Sequence, residues 1–123
     1  MAMNFKGNKA IYLQIADSIC DQILAKTLVA GDKVPSVRET AARVEVNANT
    51  VMRSYEYLQG NGIIYTKRGL GYFVAAAAQE VIMRLRREQV LGSDMRDLFQ
   101  QLNTLGITPT ALQEMYQQFL NRK

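Results

Sequence analysis

The sequence predicts a mainly α-helical chain with a small β wing, followed by a short C-terminal helical appendage. Three observations carry this. Apolar residues recur at spacings of three and four from Ile11 to Leu58, a single β-rich stretch "IIYTKRGLGYFV" follows Gly62, and helical periodicity returns from Val81 to the C-terminus.

The first helix is expected over residues 11–26, where Tyr12, Ile15, Ile19 and Ile23 share one face with Ala16 and Leu24 beside them. It stops near "VAGDKVP": Gly31 offers a positive-φ position, and Pro35 forces Val34 into an extended conformation. The start of the second helix is written in "PSVRE", because Ser36 can cap free N–H groups while Glu39, three residues on, reaches back. That helix is placed at residues 37–44. Asn47 caps a third helix running to about Gln59 and closed by "GNG". Two β-rich triplets, residues 63–65 and 72–74, then flank a basic, glycine-containing tip at residues 67–71, which reads as a hairpin. Three helices with a tight turn between the second and third, then a hairpin, outline a winged helix-turn-helix.

"AAAA" at residues 75–78 marks a junction, so the domain boundary is expected after residue 75, with a winged helix-turn-helix over 1–75 and a helical region over 76–123. Val81, Ile82 and Leu85 form a short stripe before Gly92 and Ser93 break it. Met95, Leu98, Phe99 and Leu102 repeat at helical spacing. Gly106 sits where a C-cap glycine belongs, and Ile107 can fold back on Leu102. Thr108 followed by Pro109 is a cap with proline at the first helical position, opening a stripe of Leu112, Met115, Tyr116, Phe119 and Leu120.

Bulk properties set bounds on function. A chain of 123 residues, 48% hydrophobic, can bury one core with a small satellite. Cys20 is the single cysteine and there is no histidine, so neither an intramolecular disulfide nor a recognisable metal cluster is expected. No stretch approaches the roughly 20 apolar residues of a membrane span, and no signal pattern opens the chain. A cytoplasmic protein without a membrane partner is expected. The net charge is +4. Residues 1–75 hold nine cations and six anions, residues 76–123 six and five, so the basic excess lies mostly in the first segment.

On the third helix Val51, Tyr55 and Leu58 cluster on one side, and Asn49, Arg53 and Glu56 lie nearly opposite. An exposed amide followed by a guanidinium one turn later fits major-groove reading: asparagine can pair with adenine's edge, arginine with guanine or a phosphate. The bland alternative is a solvated Arg53 paired with Glu56, worth a few tenths of a kcal/mol. Glu56 is awkward in a DNA-facing role, since its carboxylate would repel phosphates. Arg38 in the first turn of the second helix, and Lys67 and Arg68 at the wing tip beside Gly69, offer further cations on one plausible face.

The stretch "GDKVPSVRETAARVEVNANTVMRSYEYLQGNGIIYTKRGLGYFV" resembles the DNA-binding domain of bacterial GntR-family transcriptional regulators. That family's pattern runs G-x-x-L-P-S-x-R-x-L-A, then V-N-x-N-T-V-x-R-A-Y, then R-x-G-x-G-x-F-V, and the match covers roughly residues 10–75. Val34, Thr40 and Ser54 stand where the pattern has leucine, leucine and alanine. The resemblance implies DNA contacts from the arginine after P-S, the cap and first turn of the third helix, and the wing glycine. Here these are Arg38, Asn47, Asn49, Thr50, Arg53 and Gly69, to which Ser36, Lys67 and Arg68 are added as candidates.

The tail is far shorter than the family's usual effector domain and is similar to the YtrA-like subgroup, whose few C-terminal helices serve dimerisation, often in regulators of nearby transporter genes. A histidine-based metal effector domain is excluded by composition, and no cofactor is expected. Two short amphipathic helices cannot enclose their own stripes, so Met95, Leu98, Phe99, Leu102, Leu112, Met115, Tyr116 and Phe119 are expected to need a partner surface. The alternative is packing on their own winged helix. The expected function is a homodimeric regulator, a repressor of adjacent genes, binding a two-fold operator; a small-molecule effector is implied for the group, but the sequence defines no ligand site. An enzyme would need a nucleophile and base or a metal set, which this chain lacks. A winged helix used for protein contacts would show an apolar or acidic third-helix face, against which Asn49, Arg53 and the basic wing argue.

Overall fold

A computed structural model describes Phe5 and residues 7–122. The first helix, α1, spans Ile11–Leu24 and buries Ile15, Ala16, Ile19, Cys20 and Ile23. It ends earlier than its apolar spacing suggests, because Lys26 adopts a left-handed conformation (φ 65°). After Gly31, also at positive φ, comes a strand the sequence reading did not contain: β1, Lys33–Val34. Two residues carry too little periodicity to announce a strand, and this one exists only through its neighbour. The second and third helices are α2, Val37–Val44, and α3, Ala48–Gly60. Glu45 between them takes a left-handed conformation (φ 59°, ψ 51°), which lets α3 leave α2 within three residues.

The hairpin forms from β2, Ile64–Lys67, and β3, Gly71–Val74. Against the expected 63–65 and 72–74, β2 starts one residue later and runs two further at the tip, and β3 starts one residue earlier. The antiparallel sheet runs β1-β3-β2, with Val34 opposite Tyr72 and Thr66 opposite Tyr72 on the other side. A mostly helical body with a three-stranded antiparallel wing is therefore the observed architecture.

Its core is drawn from α1, α2, α3, all three strands and the helix that follows the wing. Val34, Val51, Tyr55, Leu58, Ile63, Ile64 and Val74 are almost wholly buried, as are Ala78 and Ile82 of α4, Ala78–Gln89. Burying one such large apolar side chain contributes about 1.5–3 kcal/mol. The contacts divide the chain into units of residues 1–84 and 85–123. The first unit thus runs past residue 75: Ala78 and Ile82 belong to it, and the Gln79 amide donates to the Ile23 carbonyl at 3.1 Å.

The second unit begins in α4 and continues through a π-type turn at Val90–Asp94, where Gly92 leaves helical geometry (φ −85°, ψ −136°). Then follow α5, Met95–Thr104, and α6, Pro109–Leu120. The stop between them follows its sequence signals. Gly106 is at φ 73°, the Ile107 N–H donates to the Leu102 carbonyl, and the Thr108 hydroxyl accepts from the Ala111 N–H at 3.1 Å ahead of Pro109. Neither α5 nor α6 buries a single residue.

Candidate nucleic-acid interface

The N-terminal ends of α2 and α3 are built by side-chain caps. The Ser36 hydroxyl accepts from the Glu39 N–H at 3.1 Å, and the Glu39 carboxylate accepts from the Ser36 N–H at 2.9 Å, a complete capping box. Those bonds from the Ser36 backbone and hydroxyl hold the Glu39 carboxyl below its ordinary value, so it stays charged at neutral pH. Arg38 projects from this first turn and is exposed. In α3 the Asn47 side-chain oxygen accepts from the Asn49 N–H at 2.7 Å, leaving the Asn47 amide N–H₂ group and the whole Asn49 side chain facing outward. Thr50 is half-buried.

What sets α3 against α2 is Tyr55. Its ring is buried and its hydroxyl donates to the Pro35 carbonyl at 2.6 Å; with that proton committed, the Thr40 hydroxyl donates to the Tyr55 oxygen at 2.8 Å. Burial raises the phenol's pKa above its ordinary value, which keeps it a donor. Thr40, which departs from the family pattern, is thereby a satisfied buried hydroxyl. Ser54, the other polar departure, donates to the Tyr12 carbonyl of α1 at 2.7 Å.

Arg53 has a partner that sequence reasoning did not supply. Its guanidinium lies 4.2 Å from the centroid of the Tyr12 ring, a cation–π contact with α1. Among the described residues the side chain is placed by Tyr12 and not by an ion pair with Glu56, and it remains exposed. It stands at the α1 edge of the outward face of α3.

The opposite edge of that face meets the wing. The turn joining β2 and β3 has Gly69 at φ 76° and Gly71 at φ 109°, conformations that favour glycine. Arg68 is exposed at the tip, whereas Lys67 folds back so that its ammonium lies 4.6 Å from the centroid of Phe73. Between wing and helices runs a cleft of about 320 Å³, lined by Lys33, Ser36, Arg38, Met52, Leu70 and Tyr72 among others. Tyr72 stacks edge-on against Tyr55, centroids 4.9 Å apart, and its hydroxyl points to the Met52 sulfur at 3.9 Å. The structure therefore brings Ser36 and Arg38 together with Leu70, Gly71 and Tyr72 of the wing, sets Asn47, Asn49 and Thr50 at the start of α3, and holds Arg53 apart on the α1 side. Lys33, Met52 and Leu70 were missed. Lys33 could have been found from its place beside Val34 and Pro35; nothing in periodicity singles out Met52.

An arrangement of a capped, outward-facing helix beside a cationic cleft and a glycine-tipped wing is suited to binding a polyanionic duplex. The family model for "Bacterial regulatory proteins, gntR family" matches residues 11–74, which span α1 to the last residue of β3. The chain belongs to this family. The HTH-type transcriptional regulator YhcF of Bacillus subtilis, itself uncharacterized, is 40% identical over 117 residues, covering 93% of each chain. The HTH-type transcriptional repressor YtrA of the same organism is 36% identical over 78 residues, covering 63% of this chain and 60% of YtrA. A crystal structure described as a GntR-family transcriptional regulator from Bacteroides thetaiotaomicron superposes with a TM-score of 0.83 at 52% identity, covering 92% of this chain and 98% of the other. This GntR-family chain is thus a DNA-binding transcriptional regulator, and both the winged-helix expectation and the family resemblance hold.

Proposed function

We propose that this regulator is a homodimeric repressor that binds a two-fold operator near its own gene. Residues 1–75 carry the reader's contacts, and within residues 76–123 the helices α5 and α6 form the dimer interface. The observation that carries the reading is the exposed apolar surface of α5 and α6: Phe99 is 54% and Phe119 60% exposed, with Leu98, Met115 and Tyr116 also open to solvent. Tyr116 and Phe119 stack with centroids 6.5 Å apart, and a cleft of about 330 Å³ is lined by Phe99, Leu102, Ile107 and Leu112. Large apolar side chains left open along both α5 and α6 of a small chain support an interface there. A second copy is the natural occupant, since symmetry would then present two readers to a symmetric site.

Within the reader, Arg38 and Ser36 hold phosphate beside the wing, Lys67, Arg68 and Gly69 follow the backbone or the minor groove, and Asn47, Asn49, Thr50 and Arg53 meet base edges or nearby phosphates. The kinship with a repressor supports the sign of regulation.

Fluorescence anisotropy of the full chain against its own upstream DNA and a shuffled control, at two salt concentrations, tests the reader. Tight, salt-sensitive binding that prefers upstream DNA is expected; equal, weak binding to both would oppose it. Sedimentation of the double variant Phe99→Asp, Tyr116→Asp tests the tail, where monomers are expected and a surviving dimer would move the interface elsewhere.

A further inference from the structure

Met52 is an exposed apolar side chain in the middle of a reading helix. It is 41% exposed, lies one turn after Asn49 on the outward face of α3, and is the α3 residue lining the cleft shared with Lys33, Ser36, Arg38 and Leu70. Arg53, its neighbour in sequence, is turned to the other edge and stacked on Tyr12. The cations of α2 and β1 therefore converge on the Met52 side of the helix. A duplex whose phosphates satisfy Lys33 and Arg38 brings its groove to Met52 before it reaches Arg53. Leu70, 59% exposed at the wing tip, extends the same apolar strip, and the Tyr72 hydroxyl steadies the thioether.

A thioether offers no useful donor and only a weak acceptor, so it cannot read the hydrogen-bond code of a base edge. What it can distinguish is the one apolar feature of the major groove, the 5-methyl group of thymine. We infer that Met52 is a specificity-determining residue that packs on a thymine methyl, with Asn49 supplying the polar contact one turn earlier. This rests on the DNA-reading proposal and adds to it the base and the chemical group that are recognised.

The probe is a duplex selected from a random-sequence pool by the full chain, in which each thymine in turn is replaced by uracil, removing the methyl and nothing else. Binding of wild type, Met52→Ala and Met52→Leu is measured at one salt concentration. For the wild type, uracil at one or two positions is expected to weaken binding about three- to five-fold, the magnitude of burying one methyl group. Met52→Leu keeps that sensitivity and Met52→Ala loses it. Thermal melting followed by circular dichroism serves as the fold control for all three. If every uracil effect is the same in wild type and Met52→Ala, or no thymine is sensitive, the assignment to Met52 is overturned while sequence-specific binding stands. If the pool yields no enriched sequence, the reading beneath it falls too.

Discussion

Residues 1–84 and residues 85–123 have similar helical periodicity and opposite fates for it. In the first unit the stripes of α1 and α3 close on one another and on the sheet, leaving Val51, Tyr55 and Leu58 inaccessible. In the second, stripes of equal regularity end at solvent, with no residue of α5 or α6 buried. Amphipathicity reports that a face needs covering; whether the cover is intramolecular depends on how many other elements the unit has. Three helices and a sheet suffice. Two short helices and a kink do not.

The contrast can be broken most forcefully at Tyr55. Tyr55→Ala is expected to cost about 3–5 kcal/mol of stability by chemical denaturation, from the cavity and from the orphaned Pro35 and Thr40 groups. Phe119→Ala should leave unfolding of the first unit within about 0.5 kcal/mol while weakening self-association in dilution experiments. A large loss of first-unit stability from Phe119→Ala would mean that the tail's face is not a free surface. Ser54→Ala is next, at about 1 kcal/mol, because it removes the hydroxyl bond to the Tyr12 carbonyl between α1 and α3. An unchanged melting midpoint would show that bond to be replaceable by water. Glu45→Gly should raise stability by about 0.5–1 kcal/mol by relieving the left-handed conformation in the α2–α3 turn, and a drop would indicate that the Glu45 side chain is doing more than cap the helix.

The smallest effect is on pH dependence. Glu39 titrates lower in the folded state than in the unfolded chain, so its contribution is complete above the unfolded value and is lost as pH falls through the folded one. Glu39→Gln, which keeps an acceptor for the Ser36 N–H, should therefore flatten the stability profile on the acid side of the ordinary glutamate value. Identical acid slopes for the two proteins would remove the capping box from the titration.

What could be read in advance was local. Ser36 with Glu39, Asn47, Gly106, and Thr108 with Pro109 each act within a few residues, and each does what its spacing predicts. The core face of α3 was legible for the same reason. What escaped depends on residues distant in sequence. β1 is a strand only because Lys33 and Val34 pair with Phe73 and Tyr72. Arg53 rests on a ring that α1 brings to it. Lys67 lies at the wing tip as its sequence position predicts, and the ring of Phe73 beneath its ammonium is a contact that only the folded hairpin supplies. Met52 escaped because a helical wheel sorts residues into apolar-inside and polar-outside, and an apolar residue facing outward belongs to neither class.

The first turns of α4 have an implication for how regulators of this kind can be shuffled. Ala78 and Ile82 are buried, and Gln79 ties back to Ile23, although all three follow the last strand of the wing. A recombination point placed in the alanine run would carry away part of the reader's interior and hand the recipient a hole. Exchange of the reader as an intact module between genes is expected to work only when the crossover lies beyond Ile82, so the inherited unit is longer than the motif that names it.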